Sequence, residues 1–348
     1  MVGVSSLRSV ARSIKRQFSY APLVLLYHRI DELSLDPQLL SVTPEHFNQH
    51  LEVIRRKGWP MALRDMVQAL QRNEKLPRKA VAVTFDDGYA DNVVNAKPLL
   101  ERYGVPSTVY VTSGYVGTSR EFLADQLESL FLLPGTLPLN LKLTIRGDVY
   151  EWDLGKDGSY SEEAYQSNRH WHVESSDTPT ARHKVYLALC QLLYALPSVE
   201  QRSILDGLLH WAGRTPHGRS THRAMTASEI AVLARNGLVD VGSHTVEHPS
   251  LASLSPDDQR REIVRSKADL EAIVERAVTS FAYPFGTRAD YTVETVKIVR
   301  EAGYTNACSN FPGLLLGGTD PWQLPRLLVR DWDGEEFHHR LVQWWGMD

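Results

Sequence analysis

Cysteine is scarce in this sequence: Cys190 and Cys308 are the two present in 348 residues. They give neither a disulfide framework nor the close spacing of a structural zinc site. The fold must rest on its own core, which 43% hydrophobic and 23% charged residues allow. So few thiols are compatible with a reducing compartment. Long apolar runs are also missing. No stretch reaches the roughly 18 residues of a membrane-spanning helix, so none is expected. The net charge of -4 carries no excess of positive charge, and nucleic acid is not expected as a partner. The N-terminal stretch is basic but lacks the continuous apolar centre of a secretory leader. A cytoplasmic location is expected.

That stretch does have a pattern. Val4, Leu7, Ala11, Ile14 and Phe18 fall on one helical face, and Arg8, Arg12, Lys15 and Arg16 fall on the other side. An amphipathic basic helix over about 4–18 has two uses. It can pack across the end of the main domain, or rest weakly on the anionic inner face of a membrane.

Further along, short apolar runs alternate with helical patterns. Strands are expected at 22–27, 80–85, 107–112, 238–242, 280–283, 304–308 and 326–329. Several are apolar and β-branched without alternation, as in strands covered on both faces. Between them, 45–57 carries Phe47, Leu51 and Ile54 at helical spacing. Thr226 with Glu229 makes a capping box, and Pro256 opens a long polar helix. The alternation predicts a parallel α/β sheet, open or closed into a barrel. One segment, about 117–223, breaks the rhythm. It holds a polar, turn-rich part (146–180) and two helical runs (181–196 and 201–211). It reads as an insertion, either covering a site or merely embellishing the fold.

Four groups carry chemical interest. Asp86, Asp87 and Gly88 follow the strand 80–85 directly, where active sites of parallel α/β folds form. One carboxylate there can bind a metal while its neighbour faces a substrate water; a helix-capping Asp in a plain loop is the other reading. His244 and His248 follow the strand 238–242. Placed four apart on a helical turn, both imidazoles would reach one cation. Asp87, His244 and His248 together offer one oxygen and two nitrogens, and three protein ligands with open positions describe a catalytic metal site. His28 ends the strand 22–27 and suits a general acid near neutral pH. Tyr283, Pro284 and Phe285 end the strand 280–283 and suit a groove wall or plain packing.

Thr84-Phe85-Asp86-Asp87-Gly88-Tyr89 followed by His244-Thr245-x-x-His248 resembles the polysaccharide deacetylase family, with its NodB homology domain. The likeness runs from Leu26-Tyr27-His28-Arg29, through Phe281-Ala282-Tyr283-Pro284-Phe285-Gly286, to Leu324-Pro325-Arg326, and is weakest in the insertion. The resemblance implies a distorted (β/α)7 barrel with a largely helical insertion, one domain over 1–348. It implies a divalent metal ion, usually zinc and sometimes cobalt or nickel, on Asp87, His244 and His248. Asp86 would be the general base, and the Tyr89 N–H would donate to the oxyanion. The substrate implied is an N-acetylated sugar or glycan.

Two departures stand out. Ala282 occupies the place where the family often has an arginine that orients the base, and the late histidine motif that supplies the acid is absent. A branch resembling the deacetylases of poly-N-acetylglucosamine instead carries the acid after its first strand, where His28 stands. Substrate contact is expected at Tyr283, Pro284 and Phe285. Alternatives are an O-acetyl carbohydrate esterase and a catalytically silent glycan-binding protein. A phosphoesterase would need a second metal cluster or a phosphate-binding glycine loop, and the sequence displays neither.

Overall fold

The computed structural model describes residues 21–215 and 218–346; the amphipathic segment 4–18 lies outside the described residues. Seven parallel strands form the main sheet: β1 (Leu23–Tyr27), β2 (Ala80–Phe85), β3 (Ser107–Val111), β4 (Val239–Ser243), β5 (Ser280–Ala282), β6 (Asn306–Cys308) and β7 (Leu327–Leu328). Their spatial order is β6-β5-β4-β3-β2-β1-β7, with the short piece Trp59–Pro60 paired beside the base of β2. The seam is bridged where Leu324 N–H donates to Ala307 O and Ser309 N–H donates to Leu324 O, both at 2.9 Å. The result is a curled, distorted (β/α)7 barrel, the form that the family resemblance implies and one of the two that the alternation of strands and helices allows.

Every residue of β1 and β2 is buried, which explains their unbroken apolar sequences. Outer helices cover them: α1 (Pro44–Lys57), α2 (Leu63–Gln71), α3 (Lys97–Tyr103), α8 (Ala227–Ala234), α9 (Pro256–Val274), α10 (Val293–Glu301) and α11 (Gly334–Trp344). Their starts follow the local chemistry. Thr43 caps α1, Ser255 caps α9 ahead of Pro256, and Thr226 with Glu229 closes the expected capping box on α8. The faces of α1 and α9 bearing Phe47, Leu51, Ile54, Ile263 and Leu270 complete the barrel core. Each such side chain, fully buried, contributes about 1.5–3 kcal/mol.

Between β3 and β4 the insertion builds a core of its own. It contains α4 (Leu123–Phe131), α5 (Glu162–Asn168), α6 (Ala181–Tyr194) and α7 (Ser198–Trp211). An antiparallel hairpin, Asn140–Ile145 with Asp148–Asp153, accompanies them. Leu127, Phe131, Tyr186, Leu189 and Leu208 pack together with little help from the barrel. The hairpin is a difference from the sequence reading, which took 146–180 as turn-rich. Its second strand, Asp-Val-Tyr-Glu-Trp-Asp, has no fully buried residue and alternates half-buried Tyr150 and Trp152 with exposed positions, so no continuous apolar run marks it. Among the described residues no helix is long and apolar enough to cross a membrane.

Register fixes what the barrel presents at its carboxyl rim. Tyr27 pairs with Phe85, and Ser243 with both Val111 and Phe281. The next residue along is His28 after β1, Asp86 after β2 and His244 after β4. Three residues far apart in sequence thus reach one rim.

Candidate active site

Asp87, His244 and His248 converge at this rim. His244 Nε2 lies 3.5 Å and His248 Nε2 3.3 Å from Asp87 Oδ1. Two ligands about 2.1 Å from a tetrahedral ion would stand roughly 3.4 Å apart, so the donors have the separation a shared ion requires. His244 Nδ1 donates to Ala282 O at 2.8 Å. This hydrogen bond fixes the tautomer and leaves the Nε2 lone pair facing Asp87. Burial pushes the His244 pKa down to about 4, against the pull of Asp86, so the imidazole is neutral.

The convergence is achieved by loops. The 244–248 segment is not helical; Thr245 and His248 take positive φ values of 66° and 57°. The expected helical turn is therefore corrected: a bend brings the two imidazoles together, their centroids 4.9 Å apart. Asp87 also has a positive φ, 74°. Such backbone costs about 1–3 kcal/mol per residue and persists where surroundings enforce it. Here Glu262 of α9 accepts from Val246 N and Glu247 N at 2.8 and 2.9 Å. Arg120 and Arg202 both clamp Glu247. Gly88, with φ 80°, is required beside Asp87, because a Cβ there would meet Val111 at 3.1 Å.

Asp86 is held differently. Arg326, just before β7, donates Nη1 to Oδ1 at 2.7 Å and Nη2 to Oδ2 at 2.6 Å, while its Nε donates to Ser309 O. Both side chains are buried. Burial alone would raise the Asp86 pKa; Arg326, then His244, outweigh it and hold the carboxyl below its ordinary value. Burial likewise works against ionised Asp87, and contact with His248 reverses it. Arg326 was missed as a site residue. Its signal is one arginine opening an otherwise apolar strand, and it fills the orienting place vacated at Ala282.

His28 sits half-buried at the rim, its Nδ1 shielded from solvent and without a hydrogen-bond partner. Burial lowers its pKa, with Asp87 and Asp86 pulling the other way. Around Tyr89, Ala90 N–H donates to Arg223 O and Met225 N–H to Gly88 O, both at 3.0 Å. This pairing leaves the Tyr89 N–H outside it. The Tyr89 ring is buried under the Arg29 guanidinium at 4.4 Å, and its hydroxyl donates to Asp125 at 2.8 Å.

The fourth expected group divides. Phe285 reaches the site, its ring 4.7 Å from that of His248, on a backbone with φ 60°. Pro284 is buried. Tyr283 is fully buried, stacks on Tyr291, and donates its hydroxyl to Trp322 O. It supports the rim from beneath and is not brought to the open site. Two aromatics come from outside the expected set: Tyr194, at the end of α6, packs 4.3 Å from Phe285, and the Phe122 ring lies 5.6 Å from that of His248. The insertion therefore reaches the site.

Comparison with known proteins follows the same lines. A family model described as polysaccharide deacetylase matches residues 73–131 and 211–307. The Bacillus subtilis protein YxkH, provisionally named a polysaccharide deacetylase, is 27% identical over 108 residues. That stretch is 31% of this chain and 37% of YxkH. The poly-beta-1,6-N-acetyl-D-glucosamine N-deacetylase of Escherichia coli K12 is 25% identical over 97 residues, 28% of this chain and 14% of that protein. The matches thus span well under half the length of these curated relatives. Among solved structures, the Streptococcus pyogenes deacetylase PplD in complex with acetate has a TM-score of 0.57 at 17% identity, covering 92% of this chain and 98% of its own. IcaB from Ammonifex degensii has a TM-score of 0.56 at 17% identity, covering 94% and 97%. At such identities the likeness is one of fold.

Proposed function

We propose that this chain, whose residues 73–131 and 211–307 match the polysaccharide deacetylase family model, is a metal-dependent hydrolase removing acetyl from an N-acetylated sugar or glycan. The observation that carries the reading is the rim geometry: Asp87, His244 and His248 at ligand separation, beside an Asp86 aimed by Arg326. The donor set of two imidazole nitrogens and one carboxylate suits zinc or another first-row divalent ion. When bound, such an ion polarises the acetyl carbonyl and lowers the pKa of a water.

The chain's own residues do the rest. Asp86, ionised and fixed by its two bonds to Arg326, accepts the proton of the attacking water. The Tyr89 N–H donates to the carbonyl oxygen as negative charge develops on it. His28 gives a proton to the departing amine nitrogen as the C–N bond breaks. The products are acetate and a free amino sugar.

One domain with an insertion over about 117–223 fits this reading, because Tyr194 and Arg202 of the insertion touch the rim residues Phe285 and Glu247. The name of the Escherichia coli relative makes β-1,6-linked N-acetylglucosamine oligomers the first substrates to try. Acetate release should be measured from N-acetylated and O-acetylated oligosaccharides, with and without added zinc. Zinc-dependent release from N-acetyl substrates supports the proposal; release from O-acetyl substrates alone would replace it with an esterase. Placement at the inner face of a membrane rests on Arg8, Arg12, Lys15 and Arg16, each adding about 1 kcal/mol near anionic lipid. Co-sedimentation with anionic but not neutral vesicles, lost on deleting residues 1–16, is the expected result. No binding at low salt would remove the membrane from the account.

A further inference from the structure

Behind Tyr89 lies a second group of ligand-type side chains. Asp125 and Glu128 stand three apart on one face of α4. His222 comes from the short turn Ser220–His222 at the return of the insertion. One ligand atom from each lies within 4.8 Å of the others, and all three residues are buried. His222 is only 5% exposed, and its Nε2 has no hydrogen-bond partner. That nitrogen points into the group, 3.8 Å from Glu128 Oε1.

The imidazole is held for such a role. Its Nδ1 lies 2.9 Å from Thr221 Oγ1, and Arg29 Nη2 donates to Thr221 O. With Nδ1–H donating to the Thr221 hydroxyl, the Nε2 lone pair faces the two carboxylates. Charge points the same way. Asp91, Glu121, Asp125 and Glu128 are buried. Arg29 pairs with Asp91, and Arg219 with Glu121 and Glu128. These four carboxyl groups share two guanidiniums, and among the described residues Asp125 has the Tyr89 hydroxyl but no guanidinium as its side-chain partner.

We infer that Asp125, Glu128 and His222 form a second divalent-cation site, separate from the rim triad. One imidazole and two carboxylates suit a first-row ion such as zinc or manganese better than calcium, which takes an oxygen shell. The site ties the entrance of the insertion (α4) to its return (220–222). It also holds Asp125 against the Tyr89 hydroxyl, which seats the loop that carries the Tyr89 N–H.

The test is metal content by mass spectrometry on the full chain, loaded with zinc and dialysed. Two ions per chain are expected in the wild type. One is expected in His248→Ala and one in His222→Gln, because each variant loses a different site. One ion in the wild type and none in His248→Ala would overturn the inference, as would two ions in His222→Gln. Should His222→Gln fold poorly, Glu128→Gln is the second variant. Zinc should raise the melting temperature of His248→Ala but raise that of the His248→Ala/Glu128→Gln double variant far less, because an ion bound only to the folded state stabilises it. Equal shifts in those two would contradict the site. In zinc-soaked crystals, an anomalous peak among the three side chains is expected, and water density alone there would refute it.

Discussion

The two carboxylate–histidine groups found among the described residues use the same ligand types and differ in everything around them. Asp87, His244 and His248 hang on loops that leave the barrel strands, and His248 remains partly open to solvent. Asp125, Glu128 and His222 are sealed, with two guanidiniums among their neighbours. An open set can take a substrate into its remaining positions, whereas a closed set can only hold what it binds. The contrast teaches that ligand identity does not assign a role; the supporting backbone and the access do.

Substitutions at the rim should separate the two groups most sharply. His248→Ala removes a ligand of the open set, and its turnover should fall to the uncatalysed level. Full acetate release by that variant would break the contrast at once. His28→Ala comes next. It should keep its metal and lose about 10²–10⁴-fold in amide hydrolysis, the range of general acid–base catalysis. The loss should be much smaller on an activated acetyl ester, whose leaving group needs no proton. Equal losses on both substrates would give His28 another role.

Arg326→Lys sharpens the comparison further. It keeps the positive charge but not the fork that grips both Asp86 oxygens. A fall of up to about 10²-fold in rate is expected, since a small misplacement of the base carries such a penalty. Metal content should be unchanged, and an unaltered rate would show that Asp86 needs no such clamp. Tyr194→Ala should have the smallest effect, a rise of a few-fold in KM for oligomers with kcat nearly constant. An unchanged KM would confine the insertion to a structural role.

What the sequence made legible follows from distance along the chain. Strand ends and their chemistry are local signals: Ala80–Phe85 runs straight into Asp86 and Asp87, and Val239–Ser243 into His244. The rim and its parallel register could therefore be anticipated. Arg326 could not be assigned, because its partner Asp86 lies 240 residues away and only barrel closure joins them. The bend at 244–248 depends on Glu262 and on residues of the insertion, which no spacing rule contains. Tyr283 looked available from its place at a strand end, but its stacking on Tyr291 is a tertiary fact. The sealed group was invisible for the same reason. Asp125 and Glu128 read as ordinary helix positions until the insertion returns and brings His222 to them.

The most direct measurement of the central claim is a zinc titration of chelator-stripped enzyme, followed by acetate release from N-acetylglucosamine oligomers. The account predicts negligible turnover without metal and activity that rises with zinc to a plateau in the wild type, while His248→Ala stays inactive at every zinc level. Full activity in the stripped wild type, or zinc-restored activity in His248→Ala, would contradict it.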